Sequence, residues 1–245
     1  MTAYREWAPL APLAGVARLW RTVPTGPVRV LPDGCMDLLW LDGSLHVAGP
    51  DTTALIAPST PAHGLRFRPG AAPAVLGVPA HALRDARVPL GELWPEADGL
   101  VRRLADGADP ALVLAGAAVA RLRADPPDLR PLLAALHTGA SVRGIARELG
   151  CTERTLHRRC LDTVGYGPSV LRRILRFRAA LRLARAGVPA ADVAARTGYA
   201  DQPHLSRDVR ALAGVPLGQL LGVGVGVGVG AKRSTPVPSG SSTVA

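Results

Sequence analysis

The chain has 245 residues and a net charge of +10, with 48% hydrophobic and 4% aromatic residues, a composition that supports two modest domains with aliphatic cores. It contains no uninterrupted run of about 18 apolar residues, which argues against a membrane-spanning helix. The first 21 residues carry Glu6 and scattered prolines instead of a basic start and an apolar core, so we expect no signal peptide and a cytoplasmic protein.

The charge is divided unevenly along the chain. Residues 1–129 hold 12 Arg against 13 acidic residues, whereas residues 130–221 hold 15 Arg against 6. A general preference for arginine would affect both halves alike. The asymmetry therefore indicates that the C-terminal half binds a polyanion such as DNA.

The cysteines exclude two kinds of site. Cys35, Cys151 and Cys160 are an odd number and form no C-x-x-C pair. This spacing argues against a disulfide framework and a cysteine-based zinc site. We predict no cofactor and no metal.

Residues 1–95 are rich in proline and glycine and predict a small β-rich domain. Short apolar runs alternate with turn signals such as Pro32-Asp33-Gly34. The predicted strands are Val28–Leu31, Met36–Leu41, Leu45–Ala48, Leu65–Phe67 and Ala74–Val78. Residues 96–129 predict a helical connector, in which Pro110 opens a helix that ends near Arg123. Short helices are also predicted at Pro79–Asp85 and Gly91–Trp94, before this segment, and at Asp98–Leu104 within it.

The first helix-turn-helix unit is predicted just after residue 140. Ser141 is a good cap for a helix whose apolar face is Val142, Ile145, Ala146 and Leu149. Gly150 provides the turn, and Thr152 caps a second helix with Leu156, Cys160 and Val164 on its inner face. Its outer side carries Arg154, His157 and Arg158, with Arg159 toward the edge as a phosphate contact.

A spacer helix and a second unit follow. The spacer of about 19 residues begins at Pro168 and is roughly 28 Å long. Its predicted apolar face is Leu171, Ile174, Leu175 and Leu181, with Phe177 at the margin. Asp201 caps the second recognition helix, whose inner residues are Leu205, Val209 and Leu212. The outer side holds Gln202, His204, Ser206, Arg207 and Arg210.

The length of the spacer indicates how the two units are used. Successive major grooves on one face of DNA are about 34 Å apart, so a stiff spacer could place two recognition helices in adjacent grooves. Residues 222–245 alternate valine with glycine and then become rich in serine, proline and threonine, which predicts a disordered tail. The predicted fold class is therefore α+β, a small β-rich domain followed by an all-α domain with two helix-turn-helix units joined by a long helix.

Residues 130–221 resemble the DNA-binding domain of AraC/XylS-type transcription regulators. The matching segments are SVRGIARELG at 141–150, TERTLHRR at 152–159 and DVAARTGYADQPHLSR at 192–207. The resemblance implies sequence-specific binding to double-stranded promoter DNA. It implies base-reading roles for Arg154, His157, Arg158, Gln202, His204 and Arg207, and we expect Arg159, Ser206 and Arg210 to contact the DNA backbone. RNA polymerase, a second copy of the chain and a small-molecule effector are the other expected partners.

The N-terminal half resembles the small β-rich sensor domains that precede this module in related regulators. The segments LPDGCMDLL at 31–39 and FRPGA at 67–71 carry this resemblance, to an uncharacterised family of such domains. It implies no particular ligand, so the effector-binding residues stay unknown.

Four alternatives remain open. Cys35 near Asp37, with His46, His63 and His81 elsewhere in the chain, could form a nucleophile and base. Cys35 could also accept alkyl groups in a regulator that responds to DNA alkylation. His46, His63 and His81 could bind a metal in a metal-sensing regulator. The basic helices could instead bind acidic proteins. A cysteine is more often a small buried core residue than a nucleophile, and scattered histidines are more often surface or core residues than ligands or bases. We therefore predict that the protein is not an enzyme.

Overall fold

The computed structural model describes residues 3–222, so the predicted tail at 222–245 lies outside this range except for Gly222. The strands in this range are β1 (Ala3–Trp7), β2 (Ala17–Val23), β3 (Val28–Val30), β4 (Met36–Leu41), β5 (Ser44–Ala48), β6 (Leu55–Ala57), β7 (Ala62–Phe67) and β8 (Arg87–Pro89). The helices are α1 (Ala72–Leu76), α2 (Ala97–Ala105), α3 (Pro110–Arg121), α4 (Arg130–His137), α5 (Val142–Glu148), α6 (Glu153–Val164), α7 (Pro168–Arg185), α8 (Ala190–Arg196), α9 (Gln202–Ala213) and α10 (Leu217–Leu220). Short 3₁₀ helices occupy Ala80–Leu83 and Leu90–Glu92. This is the predicted α+β class.

Six strands form one antiparallel sheet in the order β1-β2-β7-β4-β5-β8, while β3 and β6 form a separate pair. Alternation along β4 gives the large sheet two different faces. Leu38 is fully buried on one face and pairs with Val47 and Leu65 on the neighbouring strands. Asp37 points to the other face and pairs across β7 with the buried Arg66. The apolar face thus builds the core, and the other face holds an ionic network.

The helices α2 and α3, which fall in the predicted connector, pack into the same core as the sheet. Leu100, Leu104, Val113 and Leu114 belong to the buried cluster that includes Leu38 and Leu65 of the sheet. Asp109 caps α3 by accepting hydrogen bonds from the backbone N–H groups of residues 111 and 112, and Pro110 occupies the first turn. The N-terminal half is consequently a sheet covered by helices on its apolar face.

One predicted strand was wrong, and four observed strands were not predicted. Ala74–Val78 lies largely in helix α1, because Ala72, Val75 and Leu76 follow helical spacing and Gly77 closes the helix with φ of +79°. The missed strands are β1, β2, β6 and β8. Among residues 3–222, no helix is both long and apolar enough to span a lipid bilayer.

All three predicted helix caps in the C-terminal half are present. Ser141 Oγ accepts the backbone N–H of Gly144 at 3.0 Å, and Thr152 Oγ1 accepts that of Thr155 at 3.1 Å. Asp201 Oδ1 accepts the N–H of His204 at 2.6 Å. Each cap satisfies a backbone donor that the first turn of a helix leaves unpaired, and so fixes where that helix begins.

Two predicted side-chain positions were wrong. Phe177 is fully buried rather than marginal, because it packs into the core of the second unit. Leu149 is 41% exposed rather than part of the inner face. It lies at the end of α5, where the chain leaves the helix for the turn at Gly150.

Candidate nucleic-acid interface

The first candidate recognition surface is on helix α6. Leu156, Cys160 and Val164 are buried at helical spacing, as predicted, which turns the opposite side of α6 toward solvent. The four predicted contact residues are exposed: Arg154, His157, Arg158 and Arg159. Burial raises the pKa of the Cys160 thiol to about 11, so this cysteine behaves as a small apolar core residue.

His157 packs close to the backbone at the start of α7. Its imidazole lies over Gly167 at the start of α7, where an added Cβ would come within 2.4 Å of the ring. The close approach positions the imidazole between α6 and α7. A larger residue at 167 would displace the ring, and the exposed His157 side chain has room to turn away.

The second candidate recognition surface is on helix α9. Leu205, Val209 and Leu212 are buried as predicted. Four of the five outer residues are exposed, namely Gln202, Ser206, Arg207 and Arg210. His204 is half-buried, with its ring edge-to-face on Tyr199 and its Nδ1 accepting the N–H of Ala200 at 3.3 Å. Its Nε2 is the ring nitrogen not used in this contact.

Helix α7 connects the two surfaces as a single rigid element. It has 18 residues and is about 27 Å long. Leu171 and Ile174 in its first half are buried in the core of the first unit. Phe177, Leu181 and Ala184 in its second half are buried in the core of the second unit. Because α7 is a structural part of both cores, the distance between α6 and α9 is fixed by packing.

A buried carboxylate that the sequence analysis did not single out joins α7 to α9. Asp208 of α9 is 7% exposed and accepts hydrogen bonds from Arg173 at 2.5 Å and from Tyr199 at 2.9 Å. Arg176 lies 3.4 Å from the same carboxylate and stacks over the Tyr199 ring. Burial, and then the charge of Asp208, raise the pKa of the Tyr199 hydroxyl, which keeps it protonated as a donor.

This network positions the second recognition helix. Tyr199 contacts both the Asp208 carboxylate and the His204 ring. The buried carboxylate that holds α9 against α7 is therefore connected, through Tyr199, to a predicted base-reading residue. The signal in the sequence was an aspartate at the inner-face spacing between Leu205 and Leu212. A charged residue at such a position requires a buried partner, which the arginine-rich α7 supplies.

The N-terminal half contacts both helix-turn-helix units. Arg29 of β3 donates to the carbonyl of Ala213 at the end of α9 at 2.8 Å, and the N–H of Ala54 donates to Leu212 at the same distance. The 3₁₀ helix at Ala80–Leu83 packs on α6, where His81 lies 3.4 Å from Asp162. Arg158 and Arg207 nevertheless remain exposed on the two recognition helices.

Asp33 links the N-terminal core to the spacer helix. Its carboxylate forms an ion pair with the buried Arg66 and lies 3.9 Å from Arg178 of α7. Arg178 also donates to the backbone carbonyl of Asp33 at 3.0 Å. Arg66 in turn faces Asp37, which accepts the indole N–H of Trp20 at 2.7 Å. A chain of charged contacts therefore runs from the sheet to α7.

The histidines named for a metal site lie apart in the sheet. His46 pairs with Leu39 of β4 and His63 pairs with the next residue, Trp40, so the two imidazoles lie on opposite faces. His81 lies in the contact with α6. Within the part of the chain that the structure describes, no three His, Cys, Asp or Glu residues come together in a way that could bind a metal ion.

Cys35 and Asp37, considered above for nucleophilic chemistry, make other contacts. The Asp37 carboxylate accepts the Trp20 indole N–H and faces the Arg66 guanidinium. The backbone N–H of Cys35 donates to Asp33 at 3.0 Å, and the Cys35 side chain is half-buried. These contacts assign Asp37 a structural task in the ionic network.

Comparisons with known proteins agree with both resemblances drawn from the sequence. Residues 145–222 match a helix-turn-helix domain family of the AraC type, and residues 5–89 match a domain of unknown function, DUF6597. No curated protein matches the sequence. Among solved structures, the chain is similar to ToxT from Vibrio cholerae O395, with 10% identity, a TM-score of 0.45, and coverage of 93% of this chain and 98% of that one. A fatty-acid-bound ToxT from strain SCE256 gives 11% identity, a TM-score of 0.43, and coverage of 93% and 96%.

Proposed function

We infer that this DNA-binding transcription regulator, which combines a DUF6597 domain with an AraC-type helix-turn-helix domain, reads a specific promoter sequence across two adjacent major grooves. Residues 130–221 form the DNA-binding part, and the residues before them form a sensor part that responds to a small molecule. The observation that carries the proposal is helix α7, which belongs to the cores of both units and holds their recognition helices at a fixed separation.

The exposed side chains on each recognition helix support direct reading of bases. Arginine can donate two hydrogen bonds to O6 and N7 of guanine, and glutamine can pair with the N6 and N7 of adenine. In this proposal Arg154, His157 and Arg158 read the first segment, and Gln202, His204 and Arg207 read the second. The backbone contacts come from Arg159, Ser206 and Arg210.

The contacts between the two halves support regulation by an effector. A regulator can respond to a ligand only if the ligand has different affinity for two arrangements of the protein. The sensor part touches α6, α7 and α9, so a change in its position would shift the recognition helices directly. We propose RNA polymerase and a second copy of this chain as the remaining partners.

Selection of bound fragments from random double-stranded DNA tests the proposal. The expected product is one sequence with two conserved segments whose centres lie about 10 base pairs apart. The same experiment with inert competitor DNA at rising salt separates specific from non-specific binding. Recovery of unrelated sequences, or of a single short segment, would contradict the proposed two-groove recognition.

Arg207→Ala tests base reading within the selected site. If Arg207 contacts guanine, the substitution should cost about 1–3 kcal/mol of binding free energy and relax specificity at one base step. Fluorescence anisotropy on the selected site and on its single-base variants measures both effects. An equal loss on every sequence would instead make Arg207 a phosphate contact.

Two matched variants serve as controls for this measurement. Arg210→Ala, on the same helix, should weaken binding to all sequences alike and reduce the slope of the salt dependence by about 1. Arg102→Ala changes an exposed arginine of α2 in the sensor part and should leave DNA binding unchanged.

A further inference from the structure

An open cleft separates part of the N-terminal half from the first recognition helix. Thr52, Arg84 and Asp85 line it from the N-terminal half, and His157, Gly167 and Ser169 line it from α6 and the start of α7. Its volume is about 370 Å³, so the two sides are separated here by unfilled space. The cleft therefore continues the surface of a predicted base-reading residue, His157, onto the N-terminal half.

Arg84 supplies a positive charge on the N-terminal side of this cleft. It directly follows the 3₁₀ helix at Ala80–Leu83, which packs on α6, so its backbone is held beside the recognition helix. Its side chain is exposed, and its guanidinium forms no hydrogen bond and no ion pair with any of residues 3–222. Arg87, three residues later, instead forms a two-pronged pair with Asp51. The donors of Arg84 are thus available to a partner from outside the protein.

The acidic residues near Arg84 along the chain and on α6 have partners within the protein. Asp85, with φ of +56°, accepts the backbone N–H of Thr52 at 2.6 Å and its hydroxyl at 2.8 Å. Asp162 of α6 lies 3.4 Å from His81. These contacts direct both carboxylates to groups of the protein, whereas the Arg84 guanidinium is left free to bind an anion.

The width of the DNA major groove indicates which anion lies there. An α-helix with its side chains is about 10–12 Å across, and the major groove of B-DNA is about 12 Å wide. A recognition helix therefore fills the groove, and the phosphates that border the groove lie along the flanks of the helix. His157 is on the flank of α6 that faces the start of α7, and Arg84 lines the same cleft.

We propose that Arg84 binds a backbone phosphate at the edge of the first DNA segment, so that the N-terminal half is part of the DNA interface. A guanidinium donates two parallel hydrogen bonds to phosphate oxygens. Such contacts fix the position of a protein on the duplex without reading its sequence. This inference rests on the proposed function and adds to it a DNA contact from outside residues 130–221. A displacement of the sensor part changes the affinity for DNA through this contact.

Arg84→Gln in the full chain tests the contact by fluorescence anisotropy on the selected DNA. The affinity should fall about tenfold at about 50 mM salt, and by the same factor on all single-base variants of the site. The slope of the salt dependence should decrease by about 1, so the loss should shrink to about threefold at about 200 mM salt. Unchanged affinity and slope, or a loss confined to one base step, would overturn the proposal.

Two further variants separate a local contact from a change in net charge. Arg84→Lys keeps the positive charge and should retain the salt slope and most of the affinity. Arg103→Gln removes the same charge from an exposed arginine of α2 outside the cleft, and it should bind DNA like the unaltered chain. If Arg103→Gln weakened binding as much as Arg84→Gln, the effect would be one of net charge and the proposal would be wrong.

Neutral methylphosphonate linkages in the DNA locate the contact. Each linkage removes the charge of one phosphate along the strands that border the first segment. At one linkage, or two adjacent ones, the unaltered chain and Arg103→Gln should lose about tenfold in affinity, while Arg84→Gln should lose less than about twofold. If Arg84→Gln lost as much as the unaltered chain at every linkage, Arg84 would contact none of these phosphates and the proposal would be overturned.

The outcomes separate this inference from the proposed function. Phosphates are present in every sequence, so the salt slopes of Arg84→Gln and the unaltered chain can also be compared on unselected DNA. Unselective binding with a reduced slope for Arg84→Gln would count against promoter recognition and not against Arg84. Selective two-segment binding that Arg84→Gln leaves unchanged would overturn the Arg84 contact alone, and absence of any DNA binding would contradict both.

Discussion

Replacing Asp208 with alanine is expected to lower the free energy of unfolding by about 3 kcal/mol, at the lower end of the range for breaking a buried ion pair. The substitution leaves Arg176 partly buried without its carboxylate and removes the acceptor of the Tyr199 hydroxyl. We expect a value at the lower end of this range because the Arg173 side chain is 43% exposed, so its guanidinium can be hydrated once the carboxylate is gone. Urea denaturation followed by circular dichroism measures the change.

Two further variants separate the charge of Asp208 from its shape. Asp208→Asn keeps an acceptor for Tyr199 but loses the negative charge, so it should destabilise the protein less than alanine does. Asp192→Ala removes an exposed carboxylate of α8 and should change the stability by less than about 0.5 kcal/mol. If Asp208→Ala were as mild as Asp192→Ala, the network would not be what anchors α9.

The same substitution should also impair recognition of the second DNA segment. Asp208 anchors α9 to α7, and Tyr199 carries the contact on to His204. Loss of this anchor should weaken binding to the full site more than binding to the first segment alone. The affinities of Asp208→Ala for the full site and for the first segment are measured at low temperature, where the variant is folded. The ratio of the two affinities is independent of the stability measurement.

The helical half could be predicted from the sequence because its signals are local. Ser141, Thr152 and Asp201 each accept a hydrogen bond from a residue three positions further on, so the cap and its partner appear together in the sequence. The inner faces of α6 and α9 follow from helical spacing alone. The burial of Phe177 was not predicted. Helical spacing gives the direction of this side chain around α7, but it does not show that the core of the second unit lies in that direction.

The sheet and the contact between the halves depend on partners far apart in sequence. β2 pairs with β7, from Thr22 with Ala62 to Ala17 with Phe67, and the charged residues of β2 hide the alternation that marks a strand. Arg29 caps a helix 184 residues away. The two guanidinium groups that contact Asp33, those of Arg66 and Arg178, likewise come from separate segments, so nothing in the local sequence indicates their convergence.

Changing the distance between the two DNA segments should produce the largest effect on binding. Insertion of five base pairs turns one segment to the opposite face of the duplex, where the second recognition helix cannot reach it. The affinity should fall by about 10²-fold or more, because the contacts to several base pairs are lost and each contributes about 1–3 kcal/mol. Anisotropy on the original and lengthened sites measures the loss.

Insertion of ten base pairs distinguishes a rigid spacer from a flexible one. It restores the face of the duplex but moves the segments about 34 Å further apart. Helix α7 is about 27 Å long and cannot lengthen, because its two halves are buried in two different cores. The affinity should therefore stay as low as with five base pairs. Recovery at ten would mean that α7 bends or that two chains read the two segments, and either result would contradict reading by one rigid chain.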